Sequence, residues 1–192
     1  VIQDSLTMLR RNLLHVVRYP GLSLFTILGP VVVLLLVVFV FGGTLGAGLP
    51  GAGGREAYLA YVMPGILLIT IAGTASGAAI TVAMDMTEGI TARFRTMAIS
   101  RAAVLTGHVA GNTIQAVIAV TLVLGVGLLV GFLPSGSTLD LLGAFGVIVL
   151  ISFAVSWIGV AMGMQSKTVE TASNLPLILT LLPMLGSGFV PT

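Results

Sequence analysis

Few side chains in these 192 residues could do chemistry, and their spacing limits what that chemistry is. The absence of cysteine excludes disulfides, thiolate catalysis and Cys-based metal sites. The two histidines, His15 and His108, stand in different segments and no HExxH motif occurs, so no metal site is expected. Lys167 follows Gln165-Ser166 without the glycines of a GxxxxGK(S/T) loop, so the chain has no Walker-type phosphate cradle. Ser76, in Gly73-Thr-Ala-Ser76-Gly77, is a candidate nucleophile for an intramembrane serine protease, with His108 as the only candidate base. The plainer reading makes Ser76 a packing residue, because Gly and Ser are common where helices meet in a bilayer.

A polar stripe is more informative. His108, Asn112 and Gln115 recur at i, i+4 and i+7, on one face of a helix. They are either interhelical hydrogen-bond glue or the lining of a substrate path. No Asp or Glu lies deep in an apolar stretch; Asp85 and Glu88 stand at a border. This counts against proton- or sodium-coupled transport, which commonly needs an intramembrane carboxylate. A transporter built this way must draw energy from elsewhere.

The elements that carry these residues are apolar helices. Hydrophobic residues make up 57% of the chain and charged residues 7%, against about 25% charged in an ordinary soluble domain. Mean hydropathy is +1.16. Lipid must therefore cover most of the surface, and the few excess basic residues carry no nucleic-acid signature. The fold class is an all-α polytopic transmembrane helix bundle. A span needs about 20 apolar residues, and five such stretches occur, at about 21–41, 58–84, 104–132, 141–164 and 175–192. The runs are continuous rather than alternating, which rules out a barrel. Pro within a run is read as a kink, because neighbouring helices re-satisfy the freed backbone groups.

Residues 42–56 form a Gly-rich connection and 133–140 a Pro/Gly/Ser turn. The segment 85–101 carries Asp85, Glu88, Arg93, Arg95 and Arg101. With the N-terminus in the cytoplasm, Arg10, Arg11, Arg18, Arg93, Arg95, Arg101 and Lys167 are all inside and only Arg55 is outside, which fixes the expected orientation. Residues 1–20 precede the first span. Leu6, Leu9, Leu13 and Val16/Val17 recur at helical spacing, with Arg10, Arg11 and Arg18 off that stripe, predicting an in-plane amphipathic helix at the cytoplasmic surface. Asp85 and Glu88 stand at N-cap and N3 spacing, a capping-box-like start for a short amphipathic helix on the inner face. That helix reads equally as a charged anchor and as a docking surface for a cytoplasmic partner. GxxxG spacing occurs at Gly73/Gly77, Gly107/Gly111, Gly127/Gly131 and Gly159/Gly163, signalling a packed bundle or a dimer face.

Four features give the chain a family resemblance. These are the basic start Asp4-Ser-Leu-Thr-Met-Leu-Arg10-Arg11-Asn12 with Tyr19-Pro20, and Tyr61-Val-Met-Pro64-Gly65 opening the second span. They are joined by the run Asp85-Met-Thr-Glu88-Gly89 through Arg93-Phe94-Arg95-Thr96-Met97 to Ser100-Arg101, and by Pro183-Met-Leu-Gly186-Ser187-Gly188-Phe189-Val190-Pro191. Over essentially its whole length the chain resembles the permease subunits of type-2 ATP-binding-cassette exporters, in particular daunorubicin-resistance-type membrane subunits. The resemblance implies six spans in a cell (plasma) membrane, a permease dimer, and two separate ATP-binding subunits that hold the ATP and Mg; no cofactor is implied in this chain. It implies that 85–101 is the element touching the ATPase, with Glu88, Gly89, Arg93, Phe94 and Arg95 forming the contact. Only five spans are visible, so the chain is expected to be a fragment lacking the last. The implied function is export of a drug or other hydrophobic or amphipathic small molecule, with no enzymatic step in this chain. Export of a lipid-linked glycan is the alternative within the class; 6% aromatic residues and a single Trp157 lean away from it. A membrane scaffold without transport is an alternative from another class.

Overall fold

A computed structural model of the chain describes residues 20–47, 54–87, 101–166 and 168–185. The described residues are helical, joined by short turns. Helix α1 (Pro20–Leu36) continues through a π-helical stretch (Val37–Phe41) into α2 (Gly42–Gly46). Then follow α3 (Arg55–Thr87), α4 (Arg101–Val130), α5 (Thr138–Gln165) and the short helices α6 (Val169–Asn174) and α7 (Leu177–Leu185). Four helical segments are long and apolar enough to cross a membrane: Thr26–Gly46, Arg55–Thr87, Val104–Val130 and Thr138–Gln165. They correspond to the first four expected spans. Of the expected fifth span, 175–192, the structure describes residues to 185, including α7, and 186–192 lie outside the described residues, as does the amphipathic helix expected before Pro20.

The boundaries shift in ways local chemistry explains. The first span runs on to Gly46, into what reads as a Gly-rich connection. Its π-helical stretch is an unbroken run of β-branched and aromatic residues, which crowd the preceding turn. Gly46 then lies flat against the Gly54 backbone, whose N–H donates to the Gly46 carbonyl at 3.1 Å, and the Arg55 guanidinium sits 4.9 Å above the Phe39 ring. Helix α4 stops at Gly131, which takes φ +109. The Phe132 N–H reaches the Gly127 carbonyl (2.8 Å) and the Gly131 N–H the Leu128 carbonyl (3.2 Å), a Schellman cap that glycine makes inexpensive. Helix α5 begins earlier than expected, because Ser137 and Asp140 form a reciprocal capping box.

Helix α3 is the axis of the bundle and packs against every other long helix. Towards its start, Tyr58, Leu59, Val62, Met63 and Ile66 bury against Leu34 and Val38 of the first span and Val123 of α4. Towards its end, Ala78 and Val82 pack on Val109 of α4 and Val160 of α5, with Leu105 at the margin. Helix α5 joins only at this second level. Its buried positions are Ser152, Ser156, Gly159, Val160 and Gly163, whereas Leu139, Leu142, Phe145 and Leu150 nearer its start are exposed. Hydroxyl groups along the spans are satisfied within their own helices: Thr70, Thr81, Thr113 and Ser152 each donate to the carbonyl four residues back. A side chain without water can meet its hydrogen-bonding need in this way.

Candidate functional site

Chemistry-bearing side chains gather where α3 ends and α4 begins. Asp85 does not cap a following helix, as its spacing with Glu88 suggested. It lies inside the last turns of α3, which continues to Thr87. A carboxylate there faces the negative end of the helix dipole, an unfavourable place unless a donor answers it. His108 of α4 supplies that donor, with Nε2 3.2 Å from the Asp85 Oδ2. The two side chains are only 8% and 13% exposed. When His108 is protonated the contact is an ion pair; when it is neutral, an Nε2–H donates a hydrogen bond to the carboxylate.

One helical turn along α4, Asn112 is also buried, and its Nδ2 donates to the Ser156 Oγ of α5 at 2.8 Å. The Ser156 hydroxyl passes the bond on to the Ser152 carbonyl at 2.7 Å, and Thr113 lies 3.4 Å from the same oxygen. Two members of the polar stripe thus join α4 to its neighbours. Replacing Asn112 by alanine is expected to lower bundle stability by about 1 kcal/mol, the scale of one interhelical hydrogen bond in a membrane. Ser156 stays satisfied through Ser152, which keeps the loss small; unfolding titrations in micelles against the unmodified protein measure it. Gln115, the third member, is half-buried and makes no hydrogen bond among the described residues.

Just beyond Ser156, Gly159 and Gly163 lay α5 directly on α3. A Cβ at Gly159 would stand 2.5 Å from the Ala75 carbonyl oxygen, and one at Gly163 2.6 Å from that of Ala79. Of the other GxxxG matches, Gly127 packs against Met63 while Gly131 serves as a helix cap, and Gly73 faces open space. Ser76 donates its hydroxyl to the Ala72 carbonyl of its own helix at 3.1 Å, and no hydrogen bond joins it to His108. That arrangement gives no support to a serine–histidine pair. Among the described residues no group of His, Asp and Glu could hold a metal ion. Glu88, Gly89, Arg93, Phe94 and Arg95 lie outside the described residues.

Sequence reasoning overlooked Asp85 and Ser156 as site residues. Asp85 sits at the border of an apolar run, where a carboxylate looks like a cap. Ser156, with Ser152 one turn before it, interrupts a hydrophobic stretch. The available signal was the stripe itself, since long polar side chains such as His and Asn cannot reach the carbonyls of their own helix as a hydroxyl does and look to a neighbouring helix for a partner.

A family model described as ABC-2 type transporter matches residues 3–192. The daunorubicin resistance ABC transporter permease protein DrrB1 of Streptomyces coeruleorubidus is 29% identical over 184 residues, covering 96% of this chain. The chain spans 62% of the length of that relative. No solved structure matches the chain.

Proposed function

The chain belongs to the ABC-2 type transporter family, and on that premise we propose that it is the membrane subunit of an ATP-driven exporter of hydrophobic or amphipathic small molecules. The observation that carries this reading is the family match across residues 3–192, and the name of the 29% identical relative supports a drug as cargo. The ATP-binding subunit is a separate chain, and the permease works as a dimer in the cell membrane with its N-terminus in the cytoplasm. ATP binding closes the engine dimer and presses on the segment that links α3 to α4, through Glu88, Gly89, Arg93, Phe94 and Arg95. The spans then shift between two packings, one open to each side, as a displaced equilibrium. His108 and Asn112 hold the helices that make this movement, and Gln115, with no hydrogen-bond partner among the described residues, is the stripe member placed to meet cargo.

Affinity purification of the protein from its native membranes tests this. An ATP-binding-cassette subunit is expected to co-purify with the unmodified protein and to be lost when Arg93→Glu and Arg95→Glu are combined. Recovery of no ATPase with either protein overturns the exporter reading and returns the protease and scaffold alternatives to consideration.

A further inference from the structure

We propose that Asp85 and His108 are positioning residues that lock the ends of α3 and α4 into one moving part, so that a push on either end is delivered to α5. This rests on the reading that force from ATP enters at this end of the bundle.

The lock is one side of a closed triangle of contacts. Asp85 and His108 join α3 to α4 at 3.2 Å. One turn further along α4, Asn112 joins it to Ser156 of α5 at 2.8 Å. Gly159 and Gly163 then close α5 back onto the backbone of α3 at Ala75 and Ala79. Inside the triangle lie Ala78, Val82, Val109 and Val160, buried to 7% exposure or less. Each side is made differently, and only the first carries charge. Apolar contact is non-directional, whereas a poorly hydrated carboxylate hydrogen-bonded to an imidazole has a defined partner and direction. At the other level of the bundle the triangle is open, because Leu139, Leu142 and Phe145 of α5 are exposed. A displacement applied at the locked end therefore turns α5 as a unit with α3 and α4 instead of dissipating between them.

The test uses Asp85→Asn, His108→Gln and the exchanged pair Asp85→His with His108→Asp, in the complex purified with its ATP-binding subunit. Each single variant is expected to retain the subunit and its ATP hydrolysis while the probe moved per ATP, daunorubicin accumulated in proteoliposomes, falls about tenfold, the usual scale of coupling between two sites. The exchanged pair is expected to recover most of that ratio, which a residue needed only for folding would not do. Native coupling in the single variants, or no recovery in the exchanged pair, overturns the lock. Where a variant fails to assemble, a second measurement decides. The chain has no cysteine, so spin labels at Thr87→Cys and Val104→Cys report the distance between the two helix ends in bilayers. A narrow distribution that broadens on Asp85→Asn supports the lock, and an unchanged width overturns it. If the native protein captures no ATP-binding subunit, the exporter reading fails and the label distances alone decide the lock.

Discussion

Gly159→Leu detaches α5 from the bundle. At this position a Cβ alone would lie 2.5 Å from the Ala75 carbonyl oxygen and 3.1 Å from the Ala75 Cβ. Those atoms are helix backbone and a first side-chain carbon, and neither can swing aside. The helices must part, and Gly163 must then lift away from Ala79 and Val82, where a Cβ would meet atoms at 2.6–3.0 Å. Separation also breaks the Asn112–Ser156 bond. In lipid no hydrophobic force draws the helices back, since acyl chains solvate an apolar surface as well as another helix does. Overpacking of this kind costs about 1–3 kcal/mol, and more where backbone must move, a large fraction of a bundle's stability. Gly146→Leu is the control: it lies on the same helix, in the exposed half, and a Cβ there meets nothing within 4 Å. Size-exclusion profiles and unfolding in micelles are expected to separate the two variants cleanly. Equal stability would show that α5 does not rest on α3.

The second large effect is all-or-none. Seven of the eight Lys and Arg residues fall on one side if the N-terminus is inside. Ser135, exposed in the turn between α4 and α5, is then outside, and Gln165, exposed at the end of α5, is inside. The 28 residues of α5 span about 42 Å along the axis, longer than the hydrocarbon core of about 30 Å, so its two ends emerge on opposite faces. The background is cysteine-free. A membrane-impermeant thiol reagent added to intact cells is expected to label Ser135→Cys and to spare Gln165→Cys until the cells are opened. The reverse pattern would invert the topology and place the Arg93 and Arg95 segment outside, where no ATP-binding subunit could reach it.

The four long helices were legible because an apolar run of that length has few other fates. What remained hidden was partnership. Of the stripe His108, Asn112 and Gln115, the first two have partners on α3 and α5, and only the folded chain brings those near. Asp85 was misplaced for a related reason: hydropathy falls there, whereas helical hydrogen bonding persists to Thr87. The Arg55 end moved outward likewise. Among the GxxxG matches spacing gave no ranking, since backbone proximity to another helix decides their role. Gly159 and Gly163 have that proximity, and Gly73 does not.

The length of α3 has a consequence for the lipid. Its 33 residues extend about 50 Å, with Arg55 and Glu56 at one end and Asp85 near the other. The charged positions are thus separated by nearly the full distance between headgroup layers, about 40–45 Å. A thinner bilayer would expose apolar turns of α3 or force it to tilt, and a thicker one would draw Asp85 and His108 towards hydrocarbon. The axis of the bundle is thereby a gauge of hydrophobic mismatch, and acyl-chain length sets how far α3 must tilt.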